Sequence, residues 1–268
     1  MGTFFSDNLQ VYIMMKNIAE LNIITPNWSV PVHIHAYSTT RLKGFSENNY
    51  HGLNLGGHVE DDPETVEQNR LQLCQSLQIN APLDWLKQTH STNLATLPFD
   101  QHKLNQAFDA SWTAEKQKVC VVMTADCLPV LITDQKGSFV CAIHAGWRGL
   151  CDGIIEKSIR NICQQHSIKS ESLLVWLGPC IGKMAFEVGS EVRDEFIAEN
   201  PLALEAFTIH KDCYLANLQQ LARLRITPFN VAEITASEHC TYSEPDLFYS
   251  YRRDGVTGRM ASLIWIAS

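Results

Sequence analysis

A chain of 268 residues with 45% hydrophobic content can bury a large core, and its net charge of −8, with a pI near 5.7, leaves no basic footprint for nucleic acid. Its apolar runs are too short to cross a bilayer, and no charged N-terminal segment leads into a long apolar one, so neither a membrane partner nor a secretory signal is expected. These totals point to a cytoplasmic protein acting on small molecules, in which any anion site is built locally.

Residues 1–22 match no pattern that follows and read as an N-terminal extension, leaving 23–268 as a single domain uninterrupted by linker, repeat or charge block. Pro31 to Ser38 alternates, with His33, His35 and Tyr37 on one face and Val32, Ile34 and Ala36 on the other, which predicts a strand. A His-x-His pair can bind copper or zinc, but with no third ligand nearby a polar strand face accounts for it. Arg41 to Gly57, rich in Gly, Asn and Ser, reads as a long loop of the kind that carries sites. Asp62-Pro63 supplies a cap and a first-turn proline, and Val66, Leu73, Cys74 and Leu77 recur at helical spacing, predicting a helix to about Gln78. Asp84 to Leu94 is expected to form a short strand with a polar exit where His90 stands.

Val119 to Met123 is an apolar strand feeding Asp126-Cys127. Beyond it, Leu128–Thr133 and Ser138–Ile143 predict a hairpin around the turn residues Asp134 to Gly137. If Thr133 pairs with Ser138, the same register sets Cys127 directly opposite His144, with Cβ atoms roughly 5 Å apart. One Zn²⁺ can bridge that span through bonds of about 2.3 Å to sulfur and about 2.0 Å to nitrogen. The greasier face, with Leu128, Val130, Ile132, Phe139, Cys141 and Ile143, is assigned to the core, and Cys127 and His144 to the emptier one. A helix is predicted over Leu150–Gln165. The glycine-bracketed Arg148 before it suits a phosphate or carboxylate, although a turn with a surface arginine reads equally well.

Leu173–Leu177 is another apolar strand, helices are predicted near Ser190–Ala198 and Tyr214–Arg223, and strands over Phe229–Thr235 and Arg259–Ile266. Strands and helices mix without strict βαβ alternation, so the fold class is α+β with mixed sheets. The nine cysteines are an odd number and are expected to be reduced, with Cys74, Cys120, Cys141 and Cys163 free, buried and serving packing. Cys127 stands apart, following an acid at the mouth of a strand.

Five segments together carry a resemblance: Gln88-Thr-His90, Thr124-Ala-Asp-Cys127-Leu-Pro, His144-Ala-Gly-Trp-Arg-Gly149, Leu177-Gly-Pro-Cys-Ile-Gly182 and Ser250-Tyr-Arg-Arg-Asp-Gly-Val-Thr-Gly-Arg-Met260. They resemble the purine nucleoside phosphorylase family that also bears the labels polyphenol oxidase, laccase-domain protein and peptidoglycan editing factor, from about residue 23 to the end. The resemblance implies a four-layer α/β/β/α arrangement of mixed sheets and one zinc ion held by His90, Cys127 and His144. It also implies phosphorolysis of adenosine, inosine, guanosine and methylthioadenosine, with deamination of adenosine, so that nucleoside and phosphate are the partners. Arg148 and Arg41 are the candidates for holding the anion, and Asp126 for orienting a ligand or handling a proton.

Other chemistries fit the same residues. A cysteine hydrolase or amidase would use Cys127 as nucleophile and His144 as base, in keeping with the peptidoglycan-editing label. A copper polyphenol oxidase would need several histidine clusters, and ten scattered histidines with one His-x-His pair argue against copper. A metal-stabilised binding module without turnover is the remaining reading.

Overall fold

The computed structural model describes residues 21–99 and 106–268, so the expected N-terminal extension lies outside the described residues apart from Leu21 and Asn22. The described chain opens with β1 (Ile23–Ile24), β2 (Ile34–Thr39) and α1 (Pro63–Ser76). Strand β2 starts later than Pro31 but keeps the expected alternation, with Ile34 and Ala36 buried and His35 and Tyr37 half-buried. Helix α1 begins where its cap places it: the Asp62 carboxylate accepts the Thr65 N–H at 2.8 Å, and Pro63 has no donor to satisfy.

No strand forms over 84–88, and the next is β3 (Leu94–Thr96). In its place the Gln88 side-chain amide acts as a strand edge, donating to Met123 O at 2.7 Å and accepting the Met123 N–H at 2.8 Å. There follow β4 (Ala110–Thr113), β5 (Val119–Thr124), β6 (Leu128–Asp134) and β7 (Val140–Ala145). Two helices then stand where one was expected, α2 (Trp147–Cys151) and α3 (Ile154–His166). The break is at Gly153, whose φ of +85° is left-handed and ends a helical run.

The remainder runs β8 (Leu173–Leu177), β9 (Glu187–Val188), α4 (Ser190–Glu199), β10 (Phe207–His210), β11 (Cys213–Ala216), α5 (Leu218–Ile226), β12 (Glu233–Ala236), α6 (Tyr251–Asp254) and β13 (Met260–Ile266). The helix expected from Tyr214 starts later, because Cys213–Ala216 pair with β10 and Asn217 then caps α5 by accepting the Gln220 N–H. The strand expected from Phe229 is shortened to β12 by a left-handed residue at Asn230.

One sheet has the order β1-β2-β13-β5, a second the order β12-β8-β6-β7-β4-β3, and β10-β11-β9 form a small third. Only the β12/β8 and β3/β4 pairs are parallel among the described residues. Ile155, Ile159 and Ile162 of α3 and Leu221 of α5 cover one face of the six-stranded sheet, over Val130, Ile132, Cys141 and Ile143. The other face, through Leu131, Val140 and Ala142, packs on Ala36, Cys120, Val122 and Ile264 of the four-stranded sheet. Leu73 of α1 covers the far side of that sheet over Val121 and Leu263. The result is a single α+β domain in α/β/β/α layers.

Both faces of the β6–β7 hairpin are therefore buried, and the side that carries His144 is not the empty one expected; it is the interface between two sheets. All nine cysteines are free. Cys120 and Cys141 are fully buried, whereas Cys74 and Cys163 are half-buried at the edges of their helices' packed faces, which corrects the expectation that all four are interior.

Candidate metal centre

Strands β6 and β7 pair with Thr133 opposite Val140 and Leu128 opposite Ala145, a register shifted by two from the expected one. Asp134 makes the turn longer: its carboxylate accepts Ser138 N–H at 2.6 Å and Ser138 Oγ–H at 2.9 Å, and its carbonyl accepts the Gly137 N–H at 2.8 Å. Pro129, rather than Cys127, faces His144. A shift of two leaves each side chain on its own face, so the core assignment holds. It also brings Cys127, just outside the strand, beside Gly146. A Cβ at Gly146 would lie 3.2 Å from Cys127 Sγ and 2.9 Å from His90 Nε2, and would overlap His90 Cδ2, so glycine is what lets the two side chains close over this turn.

Cys127 is aimed by the residue before it. Asp126 has φ +93°, a strained conformation for a residue with a side chain, and four hydrogen bonds hold it there. Its carboxylate accepts from Thr241 Oγ1 at 2.6 Å, Ser250 Oγ at 3.0 Å and the Arg252 N–H at 2.7 Å, and its carbonyl accepts the Ile181 N–H at 2.9 Å. Both carboxylate oxygens of Asp126, the residue expected to orient a ligand or handle a proton, are engaged by the chain, and it anchors the turn that presents Cys127.

His90 is presented by a loop folded around a residue that the sequence reading did not single out. Asp109, fully buried in front of β4, accepts the backbone N–H groups of Thr89, His90 and Ser91 at 3.2, 2.9 and 2.6 Å, and Ser91 Oγ–H at 2.7 Å. It also accepts His144 Nδ1–H at 2.8 Å. One carboxylate thus shapes the His90 loop and fixes the His144 ring so that Nε2 is left to face the site. A carboxylate behind a ligating imidazole is the usual support of a metal-bound histidine. Gly149, whose added Cβ would sit 3.0 Å from Ser91 O, lets α2 pack against the same loop.

The ligand atoms of His90, Cys127 and His144 all lie within 4.8 Å of one another, with His90 exposed, Cys127 half-buried and His144 buried. Cys127 Sγ and His90 Nε2 are 3.7 Å apart. Bonds of about 2.3 and 2.0 Å at a tetrahedral angle give ~3.5 Å for such a pair. Burial would raise the Cys127 thiol, but the charge and hydrogen bond of His144, then those of His90, bring it down to about 6. Burial would likewise lower His144, yet the Cys127 thiolate and Asp109 lift it to about 9. Asp109 itself is held at about 2: burial opposes this, and hydrogen bonds from His144 and Ser91, the His144 charge and the Thr89 N–H prevail. Two imidazoles and a ready thiolate, one side exposed, make a donor set for a single soft or borderline metal ion, and both zinc and copper accept it.

The two arginines expected to hold an anion are placed differently from each other. Arg148 is exposed on the first turn of α2, stacked 4.3 Å over its neighbour Trp147. Arg41 donates from Nε and Nη2 to His51 O and from Nη1 to Pro245 O, and stacks on Tyr249, so its guanidinium is engaged in holding two loops together. Arg259, quoted above without a role, lies close enough to Cys127 and Asp126 to feel the charge of both. His33 and His35 are not part of the centre; His33 Nε2 contacts Gly137 O, and His35 stacks on Trp265.

A layered α+β domain with a candidate His/Cys/His metal site beside its central hairpin marks a metal-site protein by its donor set, and comparison with known proteins gives the family. Residues 35–267 match the family model described as multi-copper polyphenol oxidoreductase laccase, and the chain belongs to that family. It is 45% identical over 244 residues to the purine nucleoside phosphorylase YfiH of Shigella flexneri, covering 91% of this chain and 98% of the relative. It is 44% identical over 248 residues to a purine nucleoside phosphorylase of Haemophilus influenzae, covering 91% and 99%. Among solved structures, Neisseria meningitidis protein NMB0706 superposes with a TM-score of 0.84 at 41% identity over 92% of this chain and 100% of that one. YlmD from Geobacillus stearothermophilus gives 0.81 at 28% identity over 93% and 99%. The family model corrects the expectation of zinc to the exclusion of copper: counting histidine clusters argued against a multi-copper enzyme, but a family described by its copper chemistry, with a donor set that accepts copper, leaves that metal in place. No helix among the described residues is long and apolar enough to cross a membrane.

Proposed function

We propose that the chain is an enzyme of purine nucleoside breakdown whose reaction centre is one metal ion held by His90, Cys127 and His144. The observation that carries this reading is the convergence of the three donors on a common point with Asp109 locked behind His144. Relatives of nearly equal length bear the name purine nucleoside phosphorylase and support the substrate class. A bound ion would supply electrophilic activation in a site open on one side. The chain's own residues do the rest. Asp109 fixes the His144 tautomer, Asp126 aims the Cys127 sulfur, and the exposed His90 stands where substrate enters. The activities expected are phosphorolysis of adenosine, inosine, guanosine and methylthioadenosine, and conversion of adenosine to inosine, in a reducing cytoplasm that keeps the thiols free. The test is a nucleoside panel followed by chromatography: the metal-loaded protein releases purine base and ribose 1-phosphate with phosphate and forms inosine from adenosine without it. Absence of turnover of every nucleoside under both conditions refutes the reading.

A second reading has its own observation. Cys127, His144 and Asp109 stand in the order nucleophile, base and orienting carboxylate, and the Cys127 thiol is lowered to about 6, which are the marks of a cysteine hydrolase. It requires covalent modification of Cys127 by an amide or ester substrate in metal-free protein, and mass spectrometry of the trapped intermediate distinguishes the two.

A further inference from the structure

We propose that Arg259 and His58, reinforced by Arg70, form an oxyanion pocket beside the metal centre that takes a phosphate group. The identity of that group as inorganic phosphate rests on the nucleoside reading above; the pocket itself rests on geometry. The first pair of β13 with β5 is Met260 with Thr124, so Arg259 runs past the strand end alongside the turn that carries Cys127. Its backbone is clamped to the long loop: the Arg259 N–H donates to Asn54 Oδ1 at 2.9 Å, and its carbonyl accepts the Leu55 N–H at 3.1 Å. A Cβ at Gly56 would sit 2.7 Å from Arg259 Cγ, so glycine lets this loop close over the arginine stem. Arg259 Nη1 donates to Thr257 O at 2.8 Å and Gly258 O at 2.9 Å, while Nε and Nη2 have no acceptor among the described residues.

Arg70 approaches the same loop from α1. It grips Leu55 O through Nε at 3.1 Å and Nη2 at 3.0 Å, stacks on Trp85, and would meet a Cβ at Gly57 at 3.4 Å. His58 follows directly, and Arg259, Arg70 and His144 all bear on it electrostatically. No salt bridge joins a carboxylate to Arg70 or Arg259 among the described residues. Lost hydration weakens the protonated form of all three groups, His58 included although its side chain is exposed overall, and for His58 the charges of Arg259, Arg70 and His144 add to that. The charges of Cys127 and Asp126 bear on Arg259 and that of Glu67 on Arg70, but among the described residues none of them forms an ion pair with either guanidinium, so a bound anion can supply the close counter-charge that these crowded cations lack. A guanidinium edge with two free N–H donors matches the oxygens of a phosphate, and a histidine adds a third donor.

The experiment measures inorganic phosphate binding to the metal-loaded full chain by calorimetry, and the KM for phosphate and for nucleoside separately. Arg259→Gln weakens phosphate about tenfold or more and His58→Gln about threefold, with nucleoside KM and metal stoichiometry changed little; Arg259→Lys recovers part of the loss. If Arg259→Gln does not fold, His58→Gln at the exposed position carries the test alone. A nucleoside 5′-monophosphate that binds more tightly than inorganic phosphate and loses this advantage in Arg259→Gln upholds the pocket and assigns it to a phosphate ester. Phosphorolysis with unchanged phosphate KM in the folded variants overturns the pocket and leaves the nucleoside reading standing. Phosphate binding lost in Arg259→Gln, in a protein that turns over no nucleoside, upholds the pocket and removes that reading.

Discussion

Replacing Asp109 by Asn tests whether one buried carboxylate builds the centre. Oδ1 accepts His144 Nδ1–H at 2.8 Å and the His90 N–H at 2.9 Å, while Oδ2 accepts Ser91 N–H at 2.6 Å and Ser91 Oγ–H at 2.7 Å. An asparagine can serve only one of these sets with its oxygen, and its NH₂ then confronts donors on the other side. Hydrogen bonds to a charged group contribute about 1.5–3 kcal/mol each, and loss of the support behind a ligating histidine costs about 10–100-fold in metal affinity. We expect Asp109→Asn to lose about 2–3 kcal/mol in urea denaturation and at least about tenfold in metal affinity, read by competition with a chromophoric chelator. The pH dependence has a definite sign. The Asp109 carboxyl is held at about 2 against an ordinary 3.8. It therefore contributes stability that is present above about pH 4 and fades as pH falls through 2, about 2 kcal/mol in all. Wild type and variant should converge in acid. Equal stability at pH 7, with metal affinity equal within about twofold, would refute the role assigned to Asp109.

Three further outcomes are expected. Gly146→Ala, at a position with φ −63° where the backbone itself tolerates a side chain, should fold normally and lose metal, because its methyl group overlaps His90; circular dichroism and metal analysis check this. In metal-free protein, Cys127 should be alkylated by iodoacetamide with a midpoint near pH 6, below the roughly 8.5 of a free thiol, and added metal should protect it. Ile159→Ala, in the packed face of α3, should cost about 2–5 kcal/mol in stability while the folded variant keeps full metal stoichiometry.

The strands and the cap of α1 follow from local pattern, because alternation and the Asp62-Pro63 pair act over a few residues. The hairpin register did not follow. Four turn residues suggest a four-residue loop, but the Asp134 carboxylate reaches Ser138 and lengthens it, and side-chain bonds of that kind leave no periodic trace. The helix expected over Leu150–Gln165 hid its break because Leu150, Ile154 and Ile155 keep apolar spacing across Gly153. The three donors were brought together by motif resemblance, and proximity of Cys127 to His144 survived the wrong register since a shift of two preserves the face. Asp109 gave no signal, being one acid before a short strand whose partners lie 18 to 35 residues away. Arg259 stood inside a quoted motif, but its place beside Cys127 depends on β13 pairing with β5, a contact across more than half the chain.

The most direct measurement removes all metal with a chelator, confirms its loss by elemental analysis, and follows nucleoside turnover while zinc and copper are each titrated back. The account predicts no turnover in the stripped protein and recovery that saturates at one equivalent of the active ion, with Cys127→Ala unable to recover. Full turnover by stripped protein, with substrate covalently attached to Cys127, would contradict it.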